Sequence, residues 1–323
     1  MERKGIAVFG KVGAVAAVHG GESALGRVLR EAAAFKKRRW IRREVKQHLL
    51  FLLFRFAAFL NGAVLLAVVG FLVARGWRAI NWTFLSQPPL DAMTRGGILP
   101  CIVGTAAVSL GAMIVAFPIG VASAVYLSEY ARSGRLVRLI RLTINNLAGV
   151  PSVVFGLFGL ALFVVWLGLG VSLLAGALTL GVLSLPVVIG ASEEALRSVP
   201  STYREASLAL GATRWQTIRG VVLPAALPGI LTGLILGIGR AAGETAPIMF
   251  TAAAFFTPHL PRSILDEIMA LPYHIYVLAT AGTEIEKTRP LQYGTALVLI
   301  CLVLGMNLVA IAIRYRIRKK MRV

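Results

Sequence analysis

Residues 227–256 form a long apolar run, LPGILTGLILGIGRAAGETAPIMFTAAAFF, that contains two charged side chains, Arg240 and Glu244. An apolar segment of about 20 residues is long enough to cross the hydrocarbon core of a bilayer. This run therefore predicts a membrane-spanning helix. Ionisable side chains are costly inside such a helix, and they usually mark a path for polar cargo or a buried ion pair.

Small residues recur at every fourth position of this run and predict a close helix–helix contact. They are Gly229, Gly233, Gly237 and Ala241. At about 100° per residue, Arg240 and Glu244 fall on the same face of a continuous helix. Their spacing of four residues lets them neutralise each other, and a guanidinium offers planar donors that suit an oxyanion such as phosphate. Two interpretations remain open: a site on a translocation path, or a structural ion pair that locks the bundle.

Five other apolar runs resemble this one, so the sequence predicts an all-α membrane protein with six spans. The six runs cover residues 49–74, 98–127, 144–169, 171–192, 227–254 and 291–313. With 57% hydrophobic and 15% charged residues, the chain has too little polar surface for an ordinary soluble protein. The short gap at Gly168–Ser172 predicts a tight hairpin between spans three and four.

The basic residues predict the orientation of these spans. Of the 34 Lys and Arg residues, 26 lie in the segments before span one, after span six and in the loops on the same side. The positive-inside rule places both termini in the cytoplasm of a cell with a plasma (inner) membrane. The net charge of +20 is therefore mainly a topology signal and not a nucleic-acid footprint.

The chain thus divides into a basic cytoplasmic arm, a first span, an outer loop, a core of five spans and a basic tail. Their ranges are 1–48, 49–74, 75–97, 98–313 and 314–323, and the core contains a cytoplasmic loop at 193–226. The arm has two open interpretations, an anchor to anionic lipid or a regulatory, protein-binding segment.

No motif for catalysis, metal or cofactor binding stands out. Gly5–Lys11 fits the first seven positions of a phosphate-binding loop, but Val12 replaces the hydroxyl residue that binds magnesium. Cys101 and Cys301 lie alone in apolar runs, which predicts neither a zinc site nor a disulfide. We therefore expect a chain without catalytic residue, metal or cofactor, which cannot hydrolyse ATP by itself.

Loop 193–226 carries the signals of a short helix. Thr202 and Glu205 have the spacing of a capping box, which predicts that a helix begins there. Gly211 is placed to end it in the left-handed conformation. The exposed side chains of this predicted helix are small, which suits insertion into a groove on a partner. They are Ala206, Ser207 and Ala209.

A second helix is predicted directly after the first. Thr213 and Gln216 form another capping box, and Pro224 is expected to end the helix that follows. The loop is therefore two short helices joined by a glycine turn. They are either a docking element or plain connectors without a partner.

The same loop resembles the EAA loop of ABC importer permeases. The residues that carry the resemblance are Glu205-Ala206-Ser207, Gly211 and Leu223-Pro224. Ser207 replaces the last alanine of the family pattern and Val221 replaces an isoleucine, while the spacing is intact. The resemblance implies a type I importer permease bundle whose first loop helix couples to a cytoplasmic ATPase. The residues implied for this coupling are Tyr203, Glu205, Ala206, Ser207 and Gly211.

Two further segments are similar to the PstA family of phosphate-importer permeases. They are Gly239–Pro247, with the sequence GRAAGETAP, and Asn146–Gly159, with the sequence NLAGVPSVVFGLFG. Together with the loop, the resemblance covers about residues 95–313. It implies a substrate path at Arg240, Glu244 and Thr245. The implied protein partners are a second permease like PstC, two ATPases like PstB that bind ATP and magnesium, and a phosphate-binding protein like PstS. The chain is also expected to contact membrane lipid and inorganic phosphate, but no nucleic acid.

Three other functions remain open. The same machine can carry another oxyanion, such as sulfate, molybdate or phosphonate. A secondary transporter can be built around Arg240 and Glu244, although it would have no ATPase to dock on the loop. A structural or sensory membrane protein is a third class.

Overall fold

The structure, a computed structural model, describes residues 22–131, 134–281 and 285–320. By its contacts the chain divides into two compact units, with the boundary after Val69. The near-match to a phosphate-binding loop at Gly5–Val12 lies outside the described residues.

Within these ranges the chain forms twelve helices and one short antiparallel hairpin. The helices are α1 (Glu22–Gly76), α2 (Trp82–Ser86), α3 (Leu99–Val125), α4 (Arg135–Leu147), α5 (Ser152–Gly159), α6 (Leu173–Arg197), α7 (Ser201–Ala209), α8 (Arg214–Thr217), α9 (Leu223–Gly243), α10 (Ala246–Thr251), α11 (Leu271–Thr280) and α12 (Ile285–Lys320). The hairpin strands are β1 (Pro89–Leu90) and β2 (Arg95–Gly96). Wide π-helical turns extend three of the helices, at Tyr126–Tyr130 after α3, Leu160–Trp166 after α5 and Ile218–Val222 after α8.

The predicted all-α membrane fold is confirmed. Among the described residues, five segments are long and apolar enough to cross a membrane, and the count is six when a bent pair of helices is taken as one span. The five segments are Lys46–Ala79, Leu99–Tyr130, Leu173–Arg197, Arg214–Gly243 and Thr288–Lys319, and they are spans one, two, four, five and six.

Span three is not one continuous helix over 144–169, as the sequence predicted. Its two parts, Arg135–Leu147 and Ser152–Trp166, meet at an angle of 99°. Pro151 fixes its own backbone and disfavours a helical conformation at the residue before it, so the chain turns here. The first part, α4, has three arginines at intervals of three residues and exposed leucines beside them. A helix with this pattern is typical of the membrane interface.

Two predictions about the loop before span five are wrong. Pro224 does not end a helix, because α8, the π-helical turn and α9 run together as one segment, Arg214–Gly243. The π-helical turn directly before the proline accommodates the backbone hydrogen bond that proline cannot donate. Thr202 does not cap α7 either: the helix begins at Ser201 after Pro200, without a side-chain cap. The capping box of Thr213 and Gln216 is present as predicted.

Span five also ends earlier than the predicted 227–254. Helix α9 ends at Gly243, and Glu244 has an extended conformation with φ −75° and ψ 132°. Pro247 explains the break, because its ring clashes with the carbonyl of Gly243 in a continuous helix and it has no N–H to bond there. The chain resumes as the short helix α10.

The core lies where α3, α6 and α9 pack together. Small residues allow the close approach of α3 and α6: a Cβ at Gly120 would meet Val188 at 2.7 Å, and one at Gly111 would meet Ala177 at 3.1 Å. At the end of the bundle that carries the hairpin, the hydroxyl of Thr105 accepts a 2.8 Å hydrogen bond from the first amide of α11, Leu271. This bond fixes α11 to span two.

Candidate functional site

The predicted charged pair lies at the point where span five breaks. Arg240 is in the last turn of α9, and its Nε lies 3.5 Å from Oε1 of Glu244. The two side chains are partly buried, with exposed fractions of 32% for Arg240 and 18% for Glu244. A hydrogen-bonded ion pair is shorter, about 2.7–2.9 Å between nitrogen and oxygen. The pair is therefore in contact but not locked by a hydrogen bond.

The guanidinium of Arg240 keeps donors for a ligand. Among the residues that the structure describes, Glu244 is the one group that pairs with it, and no hydrogen bond from Arg240 to the protein is present. Thr245 follows directly, half-buried and outside the helix, with φ −108° and ψ −52°. An irregular backbone inside a membrane protein is tolerated where it is buried in protein or lines a water-filled cavity. The break therefore brings an arginine, a carboxylate and a hydroxyl residue together at an irregular segment of the chain.

The small residues of α9 lie against neighbouring helices of the bundle. A Cβ at Gly229 would meet Cβ of Ala195 at 2.6 Å, and one at Gly233 would meet Cβ of Ala191 at 3.0 Å, both on α6. A Cβ at Gly237 would meet the sulfur of Met113 on α3 at 2.6 Å. These contacts fix the position of α9 and hence of Arg240 at its end.

Span six contributes two polar groups that the sequence analysis missed. Asn307 lies beside span five, with Nδ2 3.3 Å from the position of a Cβ at Gly239, and its Oδ1 is buried without a hydrogen-bond partner among the described residues. Arg314, assigned to the tail, donates a 2.9 Å hydrogen bond from Nη1 to Oγ1 of Thr232. An amide within an otherwise apolar run is a signal that can identify Asn307.

The predicted docking helix is α7, at the end of the bundle opposite the hairpin. Gly211 follows it with φ +85°, the left-handed conformation that glycine adopts without strain. The amide of Ala212 donates 3.2 Å to the carbonyl of Ser207, a bond that is typical of a glycine-terminated helix. The predicted turn between α7 and α8 is therefore present.

The exposed side chains around this turn are both polar and apolar. Glu205, Ala206 and Tyr203 are exposed, and Ser207 is half-buried with its Oγ 3.0 Å from Oγ1 of Thr217. Two large apolar side chains that were not predicted from the sequence are exposed here, Leu210, which is 90% exposed, and Trp215. They flank Gly211 in a polar loop, and that position is the signal that could have identified them. Large contiguous apolar patches mark surfaces for other proteins, so Leu210 and Trp215 are candidates for such a surface.

At the opposite end of the bundle, two titratable groups have shifted pKa values. The backbone amides of Ser263 and Arg262 donate to the carboxylate of Asp266 and lower its pKa. Burial lowers the pKa of His274 to about 4, so this side chain is neutral at pH 7. The described residues contain no group of three or more His, Cys, Asp or Glu side chains that could hold a metal ion.

Comparison with known proteins places the chain among transport proteins. The family of binding-protein-dependent transport system inner membrane components matches residues 116–323. The phosphate transport system permease protein PstA 1 of Mycobacterium tuberculosis is 37% identical over 87% of this chain and 92% of its own. PstA of Mycobacterium leprae is 39% identical over 85% and 90%. The probable ABC transporter permease YqgI of Bacillus subtilis is 34% identical over 83% and 95%.

Solved structures share the fold. A chain of the MetNI methionine ABC transporter, in an inward-facing conformation, aligns with a TM-score of 0.52 over 68% of this chain and 94% of its own, at 21% identity. A chain of a bacterial alginate ABC transporter aligns with a TM-score of 0.55 over 87% and 96%, at 16% identity. The predicted bundle of the ABC importer permease type is thus confirmed. The family match over residues 116–323 and relatives of 34–39% identity along most of their length show that this chain belongs to the binding-protein-dependent transport system inner membrane components.

Proposed function

We propose that the chain is a permease subunit of an ATP-driven importer of inorganic phosphate. The observation that carries the proposal is Arg240, a partly buried guanidinium at the break of span five that pairs with Glu244 alone among the described residues. Such a group suits a tetrahedral oxyanion, since its planar donors match two oxygens at once. Two relatives that match over most of their length are named as phosphate transport permeases, which supports phosphate as the cargo.

In this proposal phosphate competes with Glu244 for Arg240. The 3.5 Å separation of Nε and Oε1 leaves the ion pair weak enough for an incoming anion to displace the carboxylate. Glu244 then either moves away or accepts a proton from a protonated phosphate, and the hydroxyl of Thr245 provides a further donor. During the transport cycle, this site opens alternately to the two sides of the membrane.

The proposed partners follow from the two ends of the bundle. The end with α7 faces the cytoplasm, as do both termini, because the positive-inside rule applies to the surrounding basic residues. An ATPase subunit docks on α7 through the exposed side chains around Gly211 and supplies the hydrolysis, so this chain has no catalytic residue. A second permease completes the path, and an extracytoplasmic phosphate-binding protein delivers the anion at the end with the hairpin.

The test is uptake by the assembled complex in proteoliposomes. We expect uptake of radiolabelled phosphate that requires ATP on the side of α7 and is not reduced by excess sulfate or molybdate. Competition by sulfate or molybdate would assign another oxyanion as the cargo. Uptake that persists without ATP and follows a proton gradient would instead assign a secondary transporter and refute the proposal.

A further inference from the structure

A partly buried arginine of α7 connects the docking helix to two membrane spans. Arg204 donates from Nε and Nη2 to the two carboxylate oxygens of Glu129, at 3.1 and 2.7 Å. Glu129 lies in the π-helical turn that ends span two, and its side chain is 10% exposed. The same guanidinium donates to the carbonyls of Leu196 and Val199, at 2.8 and 2.7 Å, at the end of span four. All three nitrogens of this side chain are therefore used.

A second polar contact connects α7 to span five. Oγ of Ser207 lies 3.0 Å from Oγ1 of Thr217, which is buried in the first turn of the segment Arg214–Gly243. The polar side chains of α7 thus contact the same ends of spans two, four and five. A partner that moves α7 must either move these three ends or break the contacts.

The contact of Arg204 with Glu129 is suited to transmit such a movement. A two-pronged bond between guanidinium and carboxylate fixes the orientation of both groups as well as their distance. Without Arg204, the largely buried carboxylate of Glu129 would keep only the 3.2 Å hydrogen bond from Ser128 among the described residues, and the carbonyls of Leu196 and Val199 would each lose a charged donor. By contrast, Arg95 and Asp91 form an ion pair of 3.8 Å with exposed fractions of 81% and 64%, and exposed pairs of this kind contribute little.

We propose that Arg204 is the positioning residue that transmits the movement of α7 to spans two and four through Glu129 and the carbonyls of Leu196 and Val199. The inference rests on the proposed function, because it assumes that an ATPase docks on α7. It assigns a role to one side chain that faces into the bundle, whereas the docking residues face outward.

The experiment measures the ratio of anion transported to ATP hydrolysed by the assembled complex. The variants are Glu129→Gln, Arg204→Gln and the double variant. The matched control is Arg197→Gln, which breaks an arginine–carboxylate pair that lies within one helix and connects no two spans. We expect Glu129→Gln and Arg204→Gln to lower the ratio about tenfold, the factor for losing a hydrogen bond to a charged group. The ATPase should still co-purify and hydrolyse ATP. The double variant should be no worse than Arg204→Gln, because the two residues act through one contact.

An unchanged ratio in Glu129→Gln would overturn the inference even if both rates fell together, since a merely structural role lowers transport and hydrolysis in parallel. Additive losses in the double variant, or an equal loss in Arg197→Gln, would overturn it too. If the complex with Arg204→Gln does not assemble, the ratio measured for Glu129→Gln is the test, because this variant keeps the size of the side chain and the carbonyl contacts of Arg204. The proposed function is judged separately, by whether the wild-type complex transports phosphate, and the ratio is measured with the anion that the wild type carries.

Discussion

Replacing Gly229 by alanine should push spans four and five apart. The new Cβ would lie 2.6 Å from Cβ of Ala195, whereas carbon atoms normally meet at about 3.5–4.0 Å. Neither atom is at the end of a flexible side chain, so the helices must separate by about 1 Å. Such over-packing lowers the free energy of unfolding by about 1–3 kcal/mol. The better helix propensity of alanine offsets about 0.5–1 kcal/mol of this loss. The expected result is a net destabilisation of up to about 2.5 kcal/mol, with a central value of about 1 kcal/mol.

The assay is the thermal inactivation midpoint of the purified complex, where each kcal/mol corresponds to about 2–4 °C. Gly190→Ala is the matched control, because it lies within α6 and a Cβ there meets nothing within 4 Å. This control should be neutral or stabilising. In an Ala195→Gly background, Gly229→Ala should no longer destabilise, since the opposing methyl group is gone. Equal midpoints for Gly229→Ala and Gly190→Ala, or the same loss in both backgrounds, would refute the close contact.

Three further predictions concern the charged pair, the glycine turn and the buried histidine. Arg240→Gln should abolish phosphate uptake while the complex still assembles, and uptake near the wild-type rate would remove Arg240 from the path. Gly211→Pro should abolish co-purification of the ATPase, because proline cannot adopt the φ of +85°, whereas Gly211→Asn should retain it; equal binding by both variants would contradict the role of the turn. Burial holds the pKa of His274 at about 4 against 6.5 in an exposed histidine, so the unfolded chain binds the proton first and stability should fall as pH drops from 6.5 toward 4. The thermal midpoint of His274→Gln should lose this dependence, and an unchanged pH profile would contradict it.

Sequence patterns predicted the elements whose signals are local. Apolar length identified the spans, because crossing a bilayer requires a minimum number of apolar residues whatever the tertiary contacts. The turn at Gly211 and the capping box of Thr213 were predictable for the same reason: a left-handed residue and a side-chain cap involve only neighbours in the chain.

The errors occurred next to prolines, including the capping box predicted at Thr202, which fails because the helix already begins at Ser201 after Pro200. Pro224 was expected to end a helix, but a π-helical turn before it keeps the helix continuous. Pro247 was predicted to lie inside a continuous span five, but it ends α9 at Gly243, four residues before the proline. A helical wheel drawn across that break placed Glu244 correctly near Arg240 but for the wrong reason, since the carboxylate reaches back from an extended residue. Glu129 and Arg204 are 75 residues apart in the chain, and no local pattern predicts their contact.

The two candidate sites are joined by one helical segment. Arg214–Gly243 has 30 residues and is therefore about 45 Å long. Thr217 near its beginning contacts Ser207 of α7, and Arg240 lies in its last turn. The small residues between them keep the segment against α6 and α3, and close-packed interfaces move between discrete arrangements rather than deforming continuously. If the segment moves as one body, as the proposed function requires, a displacement of α7 reaches Arg240, while Glu244 lies beyond the helix end and need not follow it. The proposed function therefore predicts that the separation of Arg240 and Glu244 changes when the docking helix moves.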